Sequence, residues 1–416
     1  MTQVDILRDL AGRRGPTAGI TSVCSAHPLV IEAALLQARD DGTPALIEAT
    51  CNQVNQEGGY TGMQPAYFRD FVWSLADEVG LARSRVILGG DHLGPNPWRH
   101  LPAEVAMDKA QAMIAAYAAA GFSKLHLDAS MGAAGEPDAL DDARAASRAA
   151  ALAACAEASA ATPPVYVIGT EVPTPGGATH ALDQLRPTAP DAVRATFGVH
   201  ARAFADLGDA WARVIAIVVQ PGVEFGHDSV AIYQPERAAG LSAALPDMPG
   251  LVFEAHSTDY QPEASLRRLV QDGFAILKVG PALTFALREA LYALDHIAAV
   301  LRPEPGSLAE TMERLMREQP GHWRTHYPGN PAAQHVLRHY SYSDRIRYYW
   351  PMPAAQAACA HLLDRLGAVE IPPTLVSQYL PRLYERVITG RLATDARRLL
   401  IESIRDVLRA YARACS

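Results

Sequence analysis

The chain has 416 residues, of which 49% are hydrophobic and 20% charged, so we expect a large buried core and exclude global disorder. Its formal net charge of -8 argues against nucleic acid or an acidic membrane as the main partner. The N-terminal residues lack the pattern of a signal peptide, and no apolar run is long enough to span a bilayer. We therefore expect a soluble, cytoplasmic protein. The five cysteines are scattered without a CxxC pair, which indicates neither a disulfide framework nor a zinc–thiolate site.

Short apolar runs that end in polar or glycine residues alternate with longer amphipathic segments. Eight such runs occur, at 19–24, 45–49, 85–88, 124–127, 165–168, 214–219, 251–253 and 275–279. The segments between them are long enough for crossover helices, and the alanine-rich stretch 139–161 supplies the fourth of these. Regular alternation predicts parallel strand pairing, and eight units predict an α/β fold of the (β/α)8 TIM-barrel class.

The barrel pattern ends before a helix-breaking segment, Arg302-Pro-Glu-Pro-Gly306. We predict a barrel over 1–302 and a helical C-terminal extension over 303–416. The extension contains a cluster of aromatic and basic residues at 340–350. It is expected either to pack on the barrel as an appendage or to close over it as a lid.

Polar residues that follow the eight runs form the candidate site, because active sites of barrel enzymes lie at the C-terminal ends of the strands. In chain order they are Ser25 and His27; Glu48, Asn52, Gln53, Asn55 and Gln56; Asp91 and His92; His126 and Asp128; Glu171; Gln220, Glu224 and His227; Glu254, His256 and Asp259; Lys278 and Gly280. Any one of them could instead cap a helix or pair with a neighbouring charge. Their convergence on one barrel mouth favours a functional site.

The abundance of imidazole and carboxylate groups favours a divalent metal with open coordination positions. We predict His92, His227 and Glu254 as its ligands, because they follow different strands, with His256 and Glu171 in reserve. Zinc is the first choice, and manganese, cobalt and nickel are alternatives. His126 and Asp128 share one face of the fourth strand, so both point inward or both outward. If they point inward, they orient a metal ligand.

Two loops are candidates for binding a sugar phosphate, the first by its position in the barrel and the second by its composition. Lys278, Gly280 and Thr284 lie between the eighth strand and a helix, where barrels often bind phosphate through backbone amides. An ordinary strand–helix turn would have the same pattern. The loop 53–61 contains Gln53, Asn55 and Gln56, and such amide groups suit either a hydroxyl-rich ligand or a solvated loop.

Six segments carry a resemblance to a known family: 22–34, 47–50 with 52–56, 89–95, 124–130, 254–260 and 343–350. They resemble the Z-type subunit family of class II tagatose-bisphosphate aldolase, and the likeness covers nearly the whole chain. Members of that family are described as non-catalytic partners of a separate aldolase chain. Some relatives are described instead as C4 epimerases of ketohexoses or their phosphates.

The chain is also distantly similar to the class II fructose-bisphosphate aldolases. That resemblance implies a catalytic acid/base at Asp91 and a metal ligand at His92. The match is incomplete, because Glu254 stands where that family has a seventh-strand histidine. The family's acidic, metal-adjacent pattern is also missing from Val279 to Thr284.

These observations together predict a metal-dependent retro-aldol/aldol site that epimerises C4 of a ketohexose or its 6-phosphate. The metal would stabilise the enediolate that forms when the C3–C4 bond breaks, and Asp91 and Glu171 are the predicted catalytic residues. The alternative is a non-catalytic subunit that stabilises and activates a separate class II aldolase. A homo-oligomer is expected in either case. The remaining predicted substrate contacts are His27, Asp128, Gln220, Asp259, Arg345 and Arg347, of which the two arginines would hold a terminal phosphate.

Overall fold

The computed structural model describes residues 2–12, 18–170, 185–367 and 369–416. Eight parallel strands form a closed barrel in chain order, and the last pairs with the first. They are β1 (Ile20–Cys24), β2 (Ala45–Thr50), β3 (Val86–Leu93), β4 (Lys124–Leu127), β5 (Val165–Ile168), β6 (Val214–Val219), β7 (Val252–Ala255) and β8 (Ile276–Val279). The predicted TIM barrel is confirmed.

The described residues also form fifteen α-helices. Those among the first 302 residues are α1 (Gln3–Gly12), α2 (Pro28–Asp41), α3 (Pro65–Val79), α4 (Ala103–Ala119), α5 (Asp142–Ser159), α6 (Pro190–Ala203), α7 (Pro235–Ala244), α8 (Glu263–Gln271) and α9 (Pro281–Leu301). The others are α10 (Leu308–Glu318), α11 (Pro331–Tyr340), α12 (Pro353–Leu366), α13 (Pro373–Tyr379), α14 (Tyr384–Ile388) and α15 (Ala396–Cys415). Many begin with proline, whose fixed φ suits the first helical position. None of the helices described is long and apolar enough to cross a membrane.

The C-terminal helices pack closely on the barrel. Helix α15 contacts α2, α8, α9 and β1, and Leu400 and Ile404 of α15 belong to the same hydrophobic core as Ile47 of β2. On this helix, Arg405 also pairs with Asp40 of α2. The extension therefore shares a core with the barrel, and the division at residue 302 stays a prediction.

The end of β3 departs from the regular alternation of a strand. Gly90 pairs with Leu125 and Leu93 with Leu127, so β3 has one residue more than β4 over this interval. This is a β-bulge, and His92 adopts a left-handed φ of 47° within it, a region where histidine is enriched among non-glycine residues. A regular strand would turn only one of two consecutive side chains inward. The bulge instead lets both Asp91 and His92 face the barrel mouth.

Gly89, two residues earlier, makes room for a charged side chain inside the barrel. A Cβ atom at this position would lie 2.6 Å from Cγ of Glu48, which is too close for two carbon atoms. Glycine is therefore required here for Glu48 to occupy the barrel interior.

Candidate active site

A cavity of about 540 Å³ opens at the C-terminal ends of the strands, which is a usual size for a small-molecule site. Barrel strands, βα loops and the C-terminal extension all contribute to its wall. The lining residues include Cys24, His27, Gln53, Tyr60, Asp91, His92, His256, Asp259, Lys278, Gly280, Thr284, Arg347, Tyr348 and Trp350.

Two buried lysines bridge three buried carboxylates beneath this cavity. Nζ of Lys124 lies 2.6 Å from Glu48 and 2.8 Å from Glu254. Nζ of Lys278 lies 2.6 Å from both Glu48 and Asp91. Such a network is stable only because every charge has a close partner. The amino group of Lys278, which the sequence suggested for phosphate, is thus engaged by carboxylates at the cavity floor.

Three imidazole rings meet above the lysines. The ring centroids of His92, His126 and His256 lie 4.8 to 5.1 Å apart. Each ring has a carboxylate 2.9 Å away: Asp128 for Nδ1 of His92, Asp91 for Nδ1 of His126, and Glu254 for Nε2 of His256. The inward orientation of His126 and Asp128 is the arrangement in which the fourth strand supports the site.

The charges around Asp91 keep it ionised. Burial opposes ionisation, but the charges of His92 and Lys278 outweigh burial and hold the pKa of Asp91 well below its usual value. Burial likewise disfavours protonated His92, yet Asp91 and Asp128 together raise the pKa of this imidazole. Burial lowers the pKa of His256 to about 3, so this ring is neutral and keeps a free lone pair.

Four residues offer donor atoms that all lie within 4.8 Å of one another: Asp91, His126, Glu254 and His256. Nε2 of His126 is buried without a hydrogen-bond partner, and such an orphaned group calls for an unseen partner. A mixed imidazole and carboxylate set of this kind suits a divalent transition metal.

The balance of charge in the site also suits a dication. The carboxylates of Glu48, Asp91, Asp128 and Glu254 supply four negative charges, against two positive charges on Lys124 and Lys278. Four minus two leaves two negative charges before the imidazoles are counted. The cluster is therefore compatible with a divalent metal ion.

The predicted metal ligands divide into two groups. Glu254 and the reserve ligand His256 belong to the four-residue cluster. His92 lies beside it, with Nδ1 bonded to Asp128 and Nε2 3.7 Å from Asp91. His227, the third predicted ligand, does not belong to the four-residue cluster. Its Nδ1 lies 3.3 Å from the hydroxyl groups of Ser341 and Ser343, so the turn after β6 directs it toward the C-terminal extension. The other reserve residue, Glu171, lies outside the described residues.

The polar groups of the predicted phosphate loop are bonded to carboxyl groups of the chain itself. Backbone N–H groups of Gly280 and Ala282 donate to one oxygen of Asp259, at 2.9 and 2.8 Å. The hydroxyl of Thr284 donates to Asp344 at 2.6 Å. Burial raises the pKa of Asp259 to about 6. The amides at the N-terminus of α9 therefore hold a side-chain carboxyl group where the sequence predicted a phosphate.

The predicted amide contacts are used mainly to hold loops. The side chain of Asn55 bonds to backbone groups of Cys51, Glu57 and Gly59, that of Gln56 to Lys109, and that of Gln220 to Gly222 and Val223. Gln53 accepts from the Thr50 amide and also lines the cavity. His27 caps α2 by accepting from the Leu29 amide and lines the cavity as well.

The two predicted arginines differ in position. Arg347 lines the cavity, donates to the carbonyl oxygens of Ser343 and Asp344, and lies over the ring of Tyr348. Arg345 instead donates to the backbone carbonyl oxygen of His322. It is absent from the residues that line the described cavity.

Several site residues escaped the sequence analysis. The thiol of Cys24 donates to Asp91 at 3.4 Å. Lys124 pairs with the buried carboxylates of Glu48 and Glu254. Tyr60 and Tyr348 meet edge to face at the mouth, with ring centroids 4.9 Å apart. A signal for Lys124 was present, because it shares the inward face of β4 with His126. No local pattern marks the contact between the two tyrosines.

Comparison with known proteins agrees with this architecture. The family model described as "D-tagatose-1,6-bisphosphate aldolase subunit GatZ/KbaZ-like" matches residues 7–416. A protein of Agrobacterium fabrum (strain C58) named D-tagatose 6-phosphate 4-epimerase is 55% identical over 98% of this chain and 97% of its own length. The crystal structure of a probable tagatose 6 phosphate kinase from Sinorhizobium meliloti 1021 has a TM-score of 0.90 and 56% identity, covering 95% of this chain and 100% of that one. The chain therefore belongs to the D-tagatose-1,6-bisphosphate aldolase subunit GatZ/KbaZ-like family, as its sequence motifs predict.

Proposed function

We propose that this protein is a metal-dependent 4-epimerase that interconverts D-tagatose 6-phosphate and its C4 epimer, D-fructose 6-phosphate. The observation that carries the proposal is the ionised Asp91 at the floor of the cavity, beside a cluster of imidazoles and carboxylates that fits a metal. The full-length relative that is named as such an epimerase supports the choice of substrate.

Inversion at C4 requires one of the bonds to C4 to be broken. The C–H bond is a poor choice, because the proton on C4 is not acidic. The economical route breaks the C3–C4 bond, rotates the resulting aldehyde, and forms the bond again on the other face. A divalent metal held by His126, Glu254 and His256 would act as a Lewis acid on the C2 carbonyl, stabilising the negative charge that C3 and the C2 oxygen share once the C3–C4 bond has broken. No atom is gained or lost over the cycle.

In this route Asp91 moves the proton on O4. One of its oxygens is anchored by Lys278 and His126, at 2.6 and 2.9 Å. The other lies 3.4 Å from the thiol of Cys24. This second oxygen takes the O4 proton as the aldehyde forms and returns it after the aldehyde has rotated. Asp128 fixes His92 with Nε2 3.7 Å from the same oxygen, where the ring can share that proton.

Arg347 is the proposed contact for the 6-phosphate. It lines the cavity from the C-terminal extension. A guanidinium group matches phosphate geometry through paired hydrogen bonds. Its attachment to the carbonyls of Ser343 and Asp344 holds it in place before the substrate arrives.

Two relatives that match nearly the whole chain are named after the same compound but after different reactions. Both refer to tagatose 6-phosphate, one as an epimerase and the other as a probable kinase. The sequence contains no G-x-x-x-x-G-K-[ST] motif for nucleotide phosphates. The carboxylates at the cavity floor also suit proton transfer better than the binding of a triphosphate. We therefore favour the epimerase.

The test is an assay of the purified chain without a partner. The protein is stripped with chelator, reconstituted separately with Zn²⁺, Mn²⁺, Co²⁺ or Ni²⁺, and given each ketohexose 6-phosphate while ¹³C NMR follows C4. We expect the epimer to appear with at least one metal and to disappear again with chelator. Consumption of substrate only with ATP would contradict the proposal. Absence of turnover, combined with activation of an added class II aldolase, would support the supporting-subunit alternative that the family name suggests.

A further inference from the structure

A second group of possible metal donors lies in the C-terminal extension. Glu313 belongs to α10, and His335 and His339 belong to α11. Their donor atoms all lie within 4.8 Å of one another. One oxygen of Glu313 is 3.0 Å from Nε2 of His339, and the other is 3.4 Å from Nδ1 of His335.

The two histidines are arranged as a metal site requires. They are four residues apart on one helix, so their side chains share a face, and their ring centroids are 4.9 Å apart. The hydroxyl of Tyr292 lies 2.6 Å from Nδ1 of His339, which directs the opposite nitrogen toward Glu313. Metal-binding histidines are commonly oriented by such a bond to the second ring nitrogen.

We propose that Glu313, His335 and His339 form a second metal site, suited to an imidazole-preferring transition metal such as Zn²⁺. His339 is 3% exposed, whereas the side chain of His335 is 54% exposed. The site is therefore built on a buried ligand and closed by a surface one. The groove beside it has a volume of about 640 Å³, so a water molecule can complete the coordination.

Arg338 is the positive group in direct contact with Glu313 and opposes cation binding, and Arg314 and Arg317 also line the groove. The guanidinium of Arg338 donates to both oxygens of Glu313 and lies over the ring of Trp323, 4.7 Å from the centroid. It lowers the negative charge available to a metal, so affinity must come mainly from the two imidazoles. It also holds the carboxylate in a fixed position, and ligating carboxylates usually keep an outer hydrogen bond of this kind.

A metal at this site would join α10 to α11 near the barrel mouth. Helix α11 ends at Tyr340, and the chain runs from there directly into the segment that carries Arg347 and Tyr348. The ion would therefore steady the segment that covers the cavity. This inference does not depend on the proposed epimerase activity.

Equilibrium dialysis against Zn²⁺, with bound metal measured by mass spectrometry, tests the site. We expect His335→Ala to bind one zinc ion fewer per chain than the unaltered protein, or to bind it at least tenfold more weakly. The matched control is His361→Ala, because His361 is also exposed, at 66%, and pairs with Glu304 without belonging to a group of three donors among the described residues. That control should bind as much zinc as the unaltered protein.

Two further measurements separate this site from the barrel cluster. With Co²⁺ in place of zinc, His335→Ala should lose one component of the visible d–d absorption and leave the other. Epimerase activity, if the proposed function holds, should persist in the same variant, whereas failure of that function would leave the dialysis result unaffected. Equal zinc content in the unaltered protein and His335→Ala would overturn the second site.

Discussion

The sequence predicts a ligand site both at the ends of β3 and β4 and at the end of β8, but the polar groups at these ends have different partners in the structure. At β3 and β4, His126 keeps a buried nitrogen without a partner, and Asp91 faces the cavity in its ionised form. At β8, the amides of Gly280 and Ala282 are already bonded to Asp259. The difference teaches that residue type alone does not make a strand end available to a ligand, because the same backbone amides can already be bonded within the chain.

The largest expected effect comes from Asp91→Asn. Asparagine keeps the volume and an oxygen for Lys278 but cannot take the O4 proton, so kcat for epimerisation should fall by roughly a thousandfold. NMR of C4 inversion measures this. Asp138→Asn is the matched control, since its side chain is 98% exposed and pairs with Arg99 at the surface. A loss below about tenfold would move the proton transfer away from Asp91.

The next prediction tests the end of β8, where Asp259 accepts from the backbone amides of α9. Asp259→Ala leaves two buried N–H groups without an acceptor, so the free energy of unfolding should fall by about 2–4 kcal/mol. It also frees the amides at the start of α9, so inorganic phosphate should raise the melting temperature of this variant more than that of the unaltered protein.

A matched control for that variant lies at the start of α10. Asp295 accepts from the amides of Leu308 and Ala309, at 2.9 and 3.5 Å, so Asp295→Ala removes a similar cap away from the cavity lining. It should destabilise the protein while leaving KM for the sugar phosphate unchanged. If phosphate protects the unaltered protein as strongly as Asp259→Ala, the amides of α9 are accessible and the contrast between the two strand ends fails.

Arg347→Met should have a smaller, selective effect. Loss of charged hydrogen bonds to phosphate should lower kcat/KM for the 6-phosphate by about 10- to 100-fold, with little change for the unphosphorylated ketohexose. Arg345→Met is the matched control, because Arg345 contacts the same Tyr348 ring but is not among the cavity-lining residues. Equal losses for both sugars would mean that Arg347 supports the segment and does not bind phosphate.

Much of the fold was predictable because a parallel barrel leaves a strong local record. Strands buried on both faces give continuous apolar runs such as Val214–Val219, and crossover helices separate them. The convergence of Asp91, His92, Glu254 and His256 on one mouth followed from the same pattern. The exact strand length did not, since the prediction ended β3 at Leu88 and the structure continues it to Leu93 through the bulge.

The surroundings of several predicted site residues depend on contacts between distant parts of the chain, which the sequence does not show. His227 was expected at the metal, but its place is fixed by Ser341 and Ser343, more than 100 residues away. Whether the amides of α9 were free depended on Asp259, 21 residues before Gly280. Hydrogen bonds of this kind leave no periodic signal in the sequence. Composition alone therefore could not show whether a polar group at a strand end is free for a ligand or already bonded within the chain.

The last expected effect concerns Asp344, which lies on the β8 side of the mouth and changes how stability depends on pH. One oxygen of Asp344 accepts from the Thr284 hydroxyl, and the other is buried without a hydrogen-bond partner. Burial raises its pKa from 3.8 to about 7, so the folded state favours the neutral acid. Its backbone φ of 46° lies in a left-handed region that Asp and Asn both tolerate, which makes Asp344→Asn a conservative change.

The sign of the pH effect follows from the direction of this shift. Between pH 4 and 7 the folded state holds a proton that the unfolded carboxyl group has already lost, so this group makes stability fall as pH rises. The slope reaches about 1.4 kcal/mol per pH unit at most. Asp344→Asn should remove that decline, and Asp138→Asn should leave it unchanged, as measured by chemical denaturation at pH 5, 6 and 7. Parallel stability profiles for the unaltered protein and Asp344→Asn would show that the β8 side carries an ionised carboxylate, as the β3 side does, and would erase the electrostatic contrast between them.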